Sequence, residues 1–107
     1  MAELDKHSLL ASIKARLKSV FGSRLRGVVL YGSEARGEAT PDSDIDVLVL
    51  LTGPVVFGRD LETIIQALYP LQLELERVLE AVPIDEADYL RGDYAWYRRA
   101  QEEGIQV

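Results

Sequence analysis

The sequence predicts an α+β domain, and three observations predict it. Apolar residues recur at helical spacing in one set of segments, Val/Leu-rich runs of strand length occupy another, and Gly and Pro punctuate the joints between them. At 107 residues the chain has room for one core, burying roughly 60 to 65% of its unfolded surface. We therefore expect residues 1–107 to form one small domain.

Leu10, Ile13, Leu17 and Val20/Phe21 share one helical face, with Lys6, Lys14, Arg16 and Lys18 among the polar positions. The spacing predicts an amphipathic helix over 8–21, ended by Gly22 and Ser23. Leu25 to Tyr31 reads as a strand delivering the chain to Gly32, and 33–39 as a short helical segment. Pro41 and Asp42 break the chain before a second strand over 44–52. Gly53-Pro54 and Gly58 bracket a loop, and Leu61, Ile64, Ile65 and Leu68 predict a helix over about 59–69.

Residues 71–84 carry two patterns at once. Leu71, Leu73 and Leu75 alternate with Gln72, Glu74 and Glu76 at strand period, while Leu71, Leu75, Val78, Leu79 and Val82 also form a helical stripe. Pro70 and Pro83 as boundaries tilt the reading toward a strand. Asp85 can then cap a short helix over 86–90, and Asp93 a second over 94–103, ended by Gly104. Tyr94, Trp96 and Tyr97 fall in that last helix, where packing is favoured over base stacking.

Composition narrows the chemistry. The absence of cysteine excludes disulfides and thiolate zinc sites, and the lone His7 cannot form a histidine cluster, so only oxygen ligands remain for a metal. No apolar segment approaches the roughly 20 residues of a membrane span, and residues 1–20 lack the unbroken apolar stretch of a signal peptide. A cytoplasmic protein is expected. The net charge of −6 disfavours nucleic acid as a partner and suits a nucleotide carried with magnesium, or a basic protein. Arg24, Arg26 and Arg36 could nevertheless make a local positive patch.

Gly32-Ser33, ten further residues and Asp44-Ile45-Asp46 form the segment richest in chemistry. Alternation along a strand puts Asp44 and Asp46 on one face, where they can share a divalent ion. Magnesium takes one or two carboxylates and completes its shell with water and phosphate oxygens, which points to a nucleoside triphosphate as the remaining ligand. Gly32 lets backbone amides approach an anion, Ser33 can add its hydroxyl, and Arg36 can neutralise phosphate or pair with a motif aspartate. Other motifs fail: Val47 and Gly53 stand where a calcium loop needs Gly and Glu, and neither a Walker loop nor a Gly-x-Ser-x-Gly elbow is present. Ser33 with His7 as its only possible base makes no triad.

Written out as GSEARGEATPDSDIDVLVL, this segment resembles the signature of the minimal nucleotidyltransferases, small members of the polymerase-beta-type superfamily. The resemblance implies a short mixed sheet flanked by helices, with the palm-like nucleotidyltransferase topology. It implies metal-dependent transfer of a nucleoside monophosphate, AMP from ATP, with Gly32 and Ser33 holding the triphosphate and Asp44 and Asp46 holding two magnesium ions.

The family pattern adds a third carboxylate on a neighbouring strand, here to be found among residues 72–80. If that run is a strand, Glu74, Glu76 and Glu80 share a face; Glu76 is the favoured ligand and Glu74 the second choice. Similar small proteins are often the antitoxin of a pair with a helical HEPN-type ribonuclease toxin, neutralised by adding AMP to a tyrosine. A binding module without turnover is the alternative, and transfer to an antibiotic-like hydroxyl compound a further one. Because both faces of the strand beyond Asp46 are apolar, they must be covered, by the chain's own helices or by a second subunit; a homo-oligomer or hetero-complex is expected.

Overall fold

The computed structural model describes residues 5–107; the first four residues of the amino-terminal stretch discussed above lie outside it. Helix α1, Lys6–Phe21, begins at Asp5, whose carboxylate accepts the His7 and Ser8 amides at 3.1 and 3.2 Å. This cap starts the helix two residues before the apolar spacing alone suggests. Leu9, Leu10, Ile13, Leu17 and Phe21 form its buried stripe. A 3-10 turn over Gly22–Arg24 then leads into β1, Leu25–Tyr31, as the Val/Leu run predicts.

The remaining elements are α2 (Ser33–Arg36), β2 (Ile45–Leu51), α3 (Phe57–Glu74), β3 (Leu79–Asp85), α4 (Glu86–Arg91), α5 (Ala95–Glu103) and β4 (Ile105–Gln106). The sheet order is β3-β2-β1-β4, with β1 antiparallel to β2 and β4, and β2 parallel to β3. The fold is thus α+β with a mixed sheet, and α3 is the crossover that makes the parallel pair possible.

Larger departures from expectation fall between α3 and β3 and at the start of α5. Residues 71–84 are not one strand: α3 runs through Pro70 to Glu74, and β3 begins only at Leu79. Burial of Leu68 and Leu71 on one helical face outweighs the hydrogen bond that Pro70 forfeits. Pro83 sits inside β3, which is tolerated because β3 is an edge strand. At α5, Asp93 does not cap; the helix starts at Ala95, and the Asp93 carboxylate instead pairs with Arg91 at 3.0 Å. Asp85 does cap α4, accepting the Ala87 amide at 2.9 Å.

Each face of the sheet is covered from within the chain. Ile45, Val47, Val49 and Leu51 pack with Val28 and Leu30 under α1 and α3, where Leu10, Ile13, Leu17, Ile64 and Leu68 close the layer. Leu48, Leu50, Val29 and Ile84 pack on the other face against Tyr89 of α4 and Tyr97 and Ala100 of α5. Burial of β2 therefore requires no second subunit. The aromatic residues at α5 do pack: the Tyr97 ring lies 4.6 Å from Trp96, 5.1 Å from Tyr94 and 5.8 Å from Tyr89.

The loop between β2 and α3 is held by one buried acid. Asp60, 2% exposed, accepts Arg24 through both guanidinium NH groups at 3.1 Å and the Val56 amide at 3.1 Å. Arg24 also reaches the carbonyls of Thr52 and Pro54, both at 3.3 Å. Among the described residues, no helix is long and apolar enough to cross a membrane.

Candidate active site

β1 delivers the chain to Gly32, directly after Tyr31 and before α2. Gly32 adopts φ 76° and ψ −151°, a region closed to residues with a Cβ. A Cβ placed there would also come within 2.8 Å of Asp46 Oδ2. Glycine is thus required both by the turn and by the approach of the motif aspartate. Gly32→Ala should cost about 1 to 3 kcal/mol in chemical denaturation. Asp46→Ala in the same chain should recover part of that loss, and strictly additive effects would show that the contact carries nothing.

α2 follows at once, with Glu38 N donating to Ser33 O at 2.9 Å to close the turn at Gly37. The chain then crosses to Asp44, exposed immediately before β2, and to Asp46, half-buried on the strand and paired in register with Tyr31. Leu48 and Leu50 continue the Asp46 face into the α4/α5 core, so the aspartate stands where that packing ends. The Tyr31 ring tilts against Trp96 with centroids 6.3 Å apart and forms an aromatic wall on this side.

The neighbouring carboxylate is Glu80. In the parallel ladder Asp46 stands opposite Glu80, and the alternation of strand side chains puts both on one face. Glu76, the favoured candidate from the sequence, lies in the link between α3 and β3, and Glu74 ends α3. Neither is on a strand, because the helix consumes the residues that strand pairing would have needed. This corrects the expected position.

Electrostatics tie Asp44, Asp46 and Glu80 together. Burial, followed by the charge of Asp44, raises the Asp46 pKa, while a hydrogen bond with Glu80 offsets part of the rise. The Glu80 pKa is raised too, first by the charge of Asp44, then by burial and Asp46. Among the described residues, no Lys or Arg forms an ion pair with any of the three. Nor do three or more such side chains stand gathered as a closed ligand set.

An open set of crowded, uncompensated carboxylate oxygens suits a hard cation that brings its remaining ligands with it. Magnesium is such a cation, needing one or two carboxylates. Asp44 and Asp46 would hold it, with Glu80 beside them.

The arginines do not make the positive patch that their spacing suggested. Arg24 is committed to Asp60, and Arg26 pairs with Glu86 at 3.2 Å. Arg36 pairs with Glu38 at 2.8 Å and Glu103 at 3.6 Å instead of with a motif aspartate. The Gly37 turn and the end of α5 bring those acids closer to it than the motif aspartates.

Two further residues escaped the sequence reading. Glu34, 6% exposed, and Arg77 form an ion pair at 2.5 Å, and Arg77 Nε donates to the Ser43 carbonyl at 2.8 Å. An acid inside the motif was the only available signal, since nothing in the spacing connects it to Arg77.

Comparison with known proteins follows the same outline. Residues 10–93 match the family described as nucleotidyltransferase domain. A protein of Methanocaldococcus jannaschii, MJ0604, named as a candidate protein adenylyltransferase, is 33% identical over 88 residues, covering 82% of this chain and 83% of its own. A chain from the crystal structure of the toxin-antitoxin MntA-HpeT superposes with a TM-score of 0.59 at 20% identity, covering 98% of this chain and 72% of that one. A candidate nucleotidyltransferase from Sulfolobus solfataricus gives 0.53 at 20% identity, covering 99% and 89%. At those identities the two structures speak for the fold. The glycine turn, the paired aspartates and the extent of the family match together establish that this chain belongs to the nucleotidyltransferase domain family.

Proposed function

We propose that this chain is a magnesium-dependent adenylyltransferase that moves AMP from ATP to a hydroxyl of a protein partner, a HEPN-type toxin being the partner class that the family resemblance favours. The observation that carries the reading is the register of β2 with β3, which sets Glu80 beside Asp46 while Gly32 closes on the same carboxylate. The likeness to a candidate protein adenylyltransferase supports AMP and a protein acceptor. The fold shared with the toxin-antitoxin MntA-HpeT supports a toxin partner.

In this reading the backbone at Gly32 and the Ser33 hydroxyl receive the triphosphate, and Asp44 and Asp46 hold the ion. Bound magnesium would neutralise these carboxylates and draw charge from the triphosphate oxygens. The acceptor hydroxyl oxygen bonds to the α-phosphorus as the bond to the bridging oxygen breaks, and pyrophosphate leaves. Glu80 takes the hydroxyl proton, a role suited by its place opposite Asp46 in the ladder of β2 with β3.

Incubating the protein with magnesium, ATP and the product of an adjacent gene should give an adenylyl adduct on the partner by intact mass. Glu80→Gln should slow its formation roughly 100-fold or more, and Glu76→Gln should leave the rate within about twofold. Equal losses in the two variants would remove Glu80 from the reaction. Tight partner binding without any adduct would leave the chain a binding module.

A further inference from the structure

We propose that Arg77 is a positioning residue for the carboxylate site, resting on the adenylyltransferase reading above. Its guanidinium joins three segments that deliver the site residues. One arm pairs with Glu34 in α2, directly after the Gly32-Ser33 turn. Nε donates to the Ser43 carbonyl at 2.8 Å, one residue before Asp44. The Arg77 backbone stands in the link that leads into β3 and Glu80.

The link itself is fixed. Gln72 of α3 donates to the Arg77 carbonyl at 2.9 Å and accepts the Leu79 amide at 2.7 Å. The Ile45 amide donates to the Val78 carbonyl at 2.8 Å, so the start of β2 is tied to the same link. Arg77 is therefore a side chain with an immobilised base, and only 16% of it is exposed.

The contacts have a division of labour. Asp46 is held by strand pairing on both sides, to Tyr31 and Glu80. Asp44 precedes the strand and has no register partner. The Arg77 bond to Ser43 O is a side-chain restraint on the loop that sets its position. The buried Glu34 carboxylate in turn attracts the guanidinium as an ion pair, so the planar fork links α2 by charge and the Ser43 carbonyl by a hydrogen bond. Loss of the fork should free residues 37–44 without disturbing the sheet.

The test compares wild type with Arg77→Met, Arg77→Lys and, as a charge control on an exposed pair, Arg26→Met. Mn2+ alone is titrated by water-proton relaxation, and amide hydrogen exchange is followed along the chain. Arg77→Met should weaken Mn2+ binding about tenfold, the size of effect typical when a partner that orients ligands is removed. It should also speed exchange across 33–44 while β1 and β2 stay protected, with Arg77→Lys between the two and Arg26→Met at wild-type values. In the transfer assay kcat should fall with KM for ATP little changed.

Wild-type exchange and Mn2+ affinity in Arg77→Met, or the same losses in Arg26→Met, would overturn the proposal. If Arg77→Met does not fold, the Arg77→Lys measurements decide by the same criteria. Wild-type protein that binds no Mn2+ would instead sink the carboxylate-site reading, and the exchange comparison would still decide whether Arg77 orders the loop.

Discussion

Asp46→Asn is expected to reduce adenylyl transfer roughly a thousandfold, the scale on which a group that organises charge in a transition state acts, while making the ligand-free protein more stable. The two effects share a cause. Asp46 lies half-buried beside Glu80 and near Asp44, with no cationic side chain paired to any of them among the described residues. Without a cation this crowding costs stability, and an amide of the same shape removes one of the charges. Like charges opposed across a sheet cost up to about 1 kcal/mol, so the melting temperature should rise by roughly 2 to 4 °C at pH 7.

The sign follows from the direction of the shift. The native Asp46 pKa is raised, first by burial, so the native state holds its proton more tightly than the unfolded chain does. The destabilisation is absent at low pH, grows as pH rises from the ordinary carboxylate range through the raised pKa, and is complete at neutrality. The advantage of Asp46→Asn should therefore fade on acidification below about pH 4 and reverse when magnesium is added. A melting temperature equal to wild type at pH 7, or unaffected by magnesium in both proteins, would count against the charge argument.

Arg24→Met should unfold more easily by about 2 to 4 kcal/mol, corresponding to a fall of roughly 10 to 20 °C in melting temperature, because it strands a buried charge. Asp60 is 2% exposed and loses both guanidinium contacts, keeping the Val56 amide and a long ion pair with the exposed Arg59 at 3.8 Å. The figure is set at the lower side of the range for buried pairs, since Arg24 itself is about one-third exposed, at 33%. Asp60→Asn in the Arg24→Met background should recover much of the loss, by replacing the stranded carboxylate with a neutral group that can still accept the Val56 amide.

Acid should erase the difference. The Arg24 hydrogen bonds hold the Asp60 pKa below the ordinary carboxylate value, so this stabilisation is present above about pH 5 and disappears as pH falls through the lowered pKa. Urea midpoints for the two proteins from pH 7 down to pH 3 would show the convergence. Parallel curves would mean that Arg24 acts through packing, including its contact 5.6 Å over the Phe21 ring, and not through the charge of Asp60.

The chain's own pattern determined a good deal. Local signals placed β1 over Leu25–Tyr31, put Asp85 at the head of α4, and marked Gly32, Asp44 and Asp46 as one group. Those features depend on near neighbours: strand alternation, a side chain reaching its own helix amide, a turn that tolerates only glycine. The stretch from Pro70 to Asp85 was different, since helix and strand periods coincide there and local propensity favours neither decisively.

Tertiary packing decided it, by burying Leu68 and Leu71 under the sheet and carrying α3 to Glu74. Because strand register moves with the point where the helix ends, that choice placed Glu80 rather than Glu76 opposite Asp46. The same holds for the ion pairs. Spacing could group Arg24, Arg26 and Arg36 near the motif, but only the folded positions of Asp60, Glu86, Glu38 and Glu103 showed each of them engaged. Glu34 and Arg77 met only through the fold, since the parallel pairing of β2 and β3 brings their distant segments together.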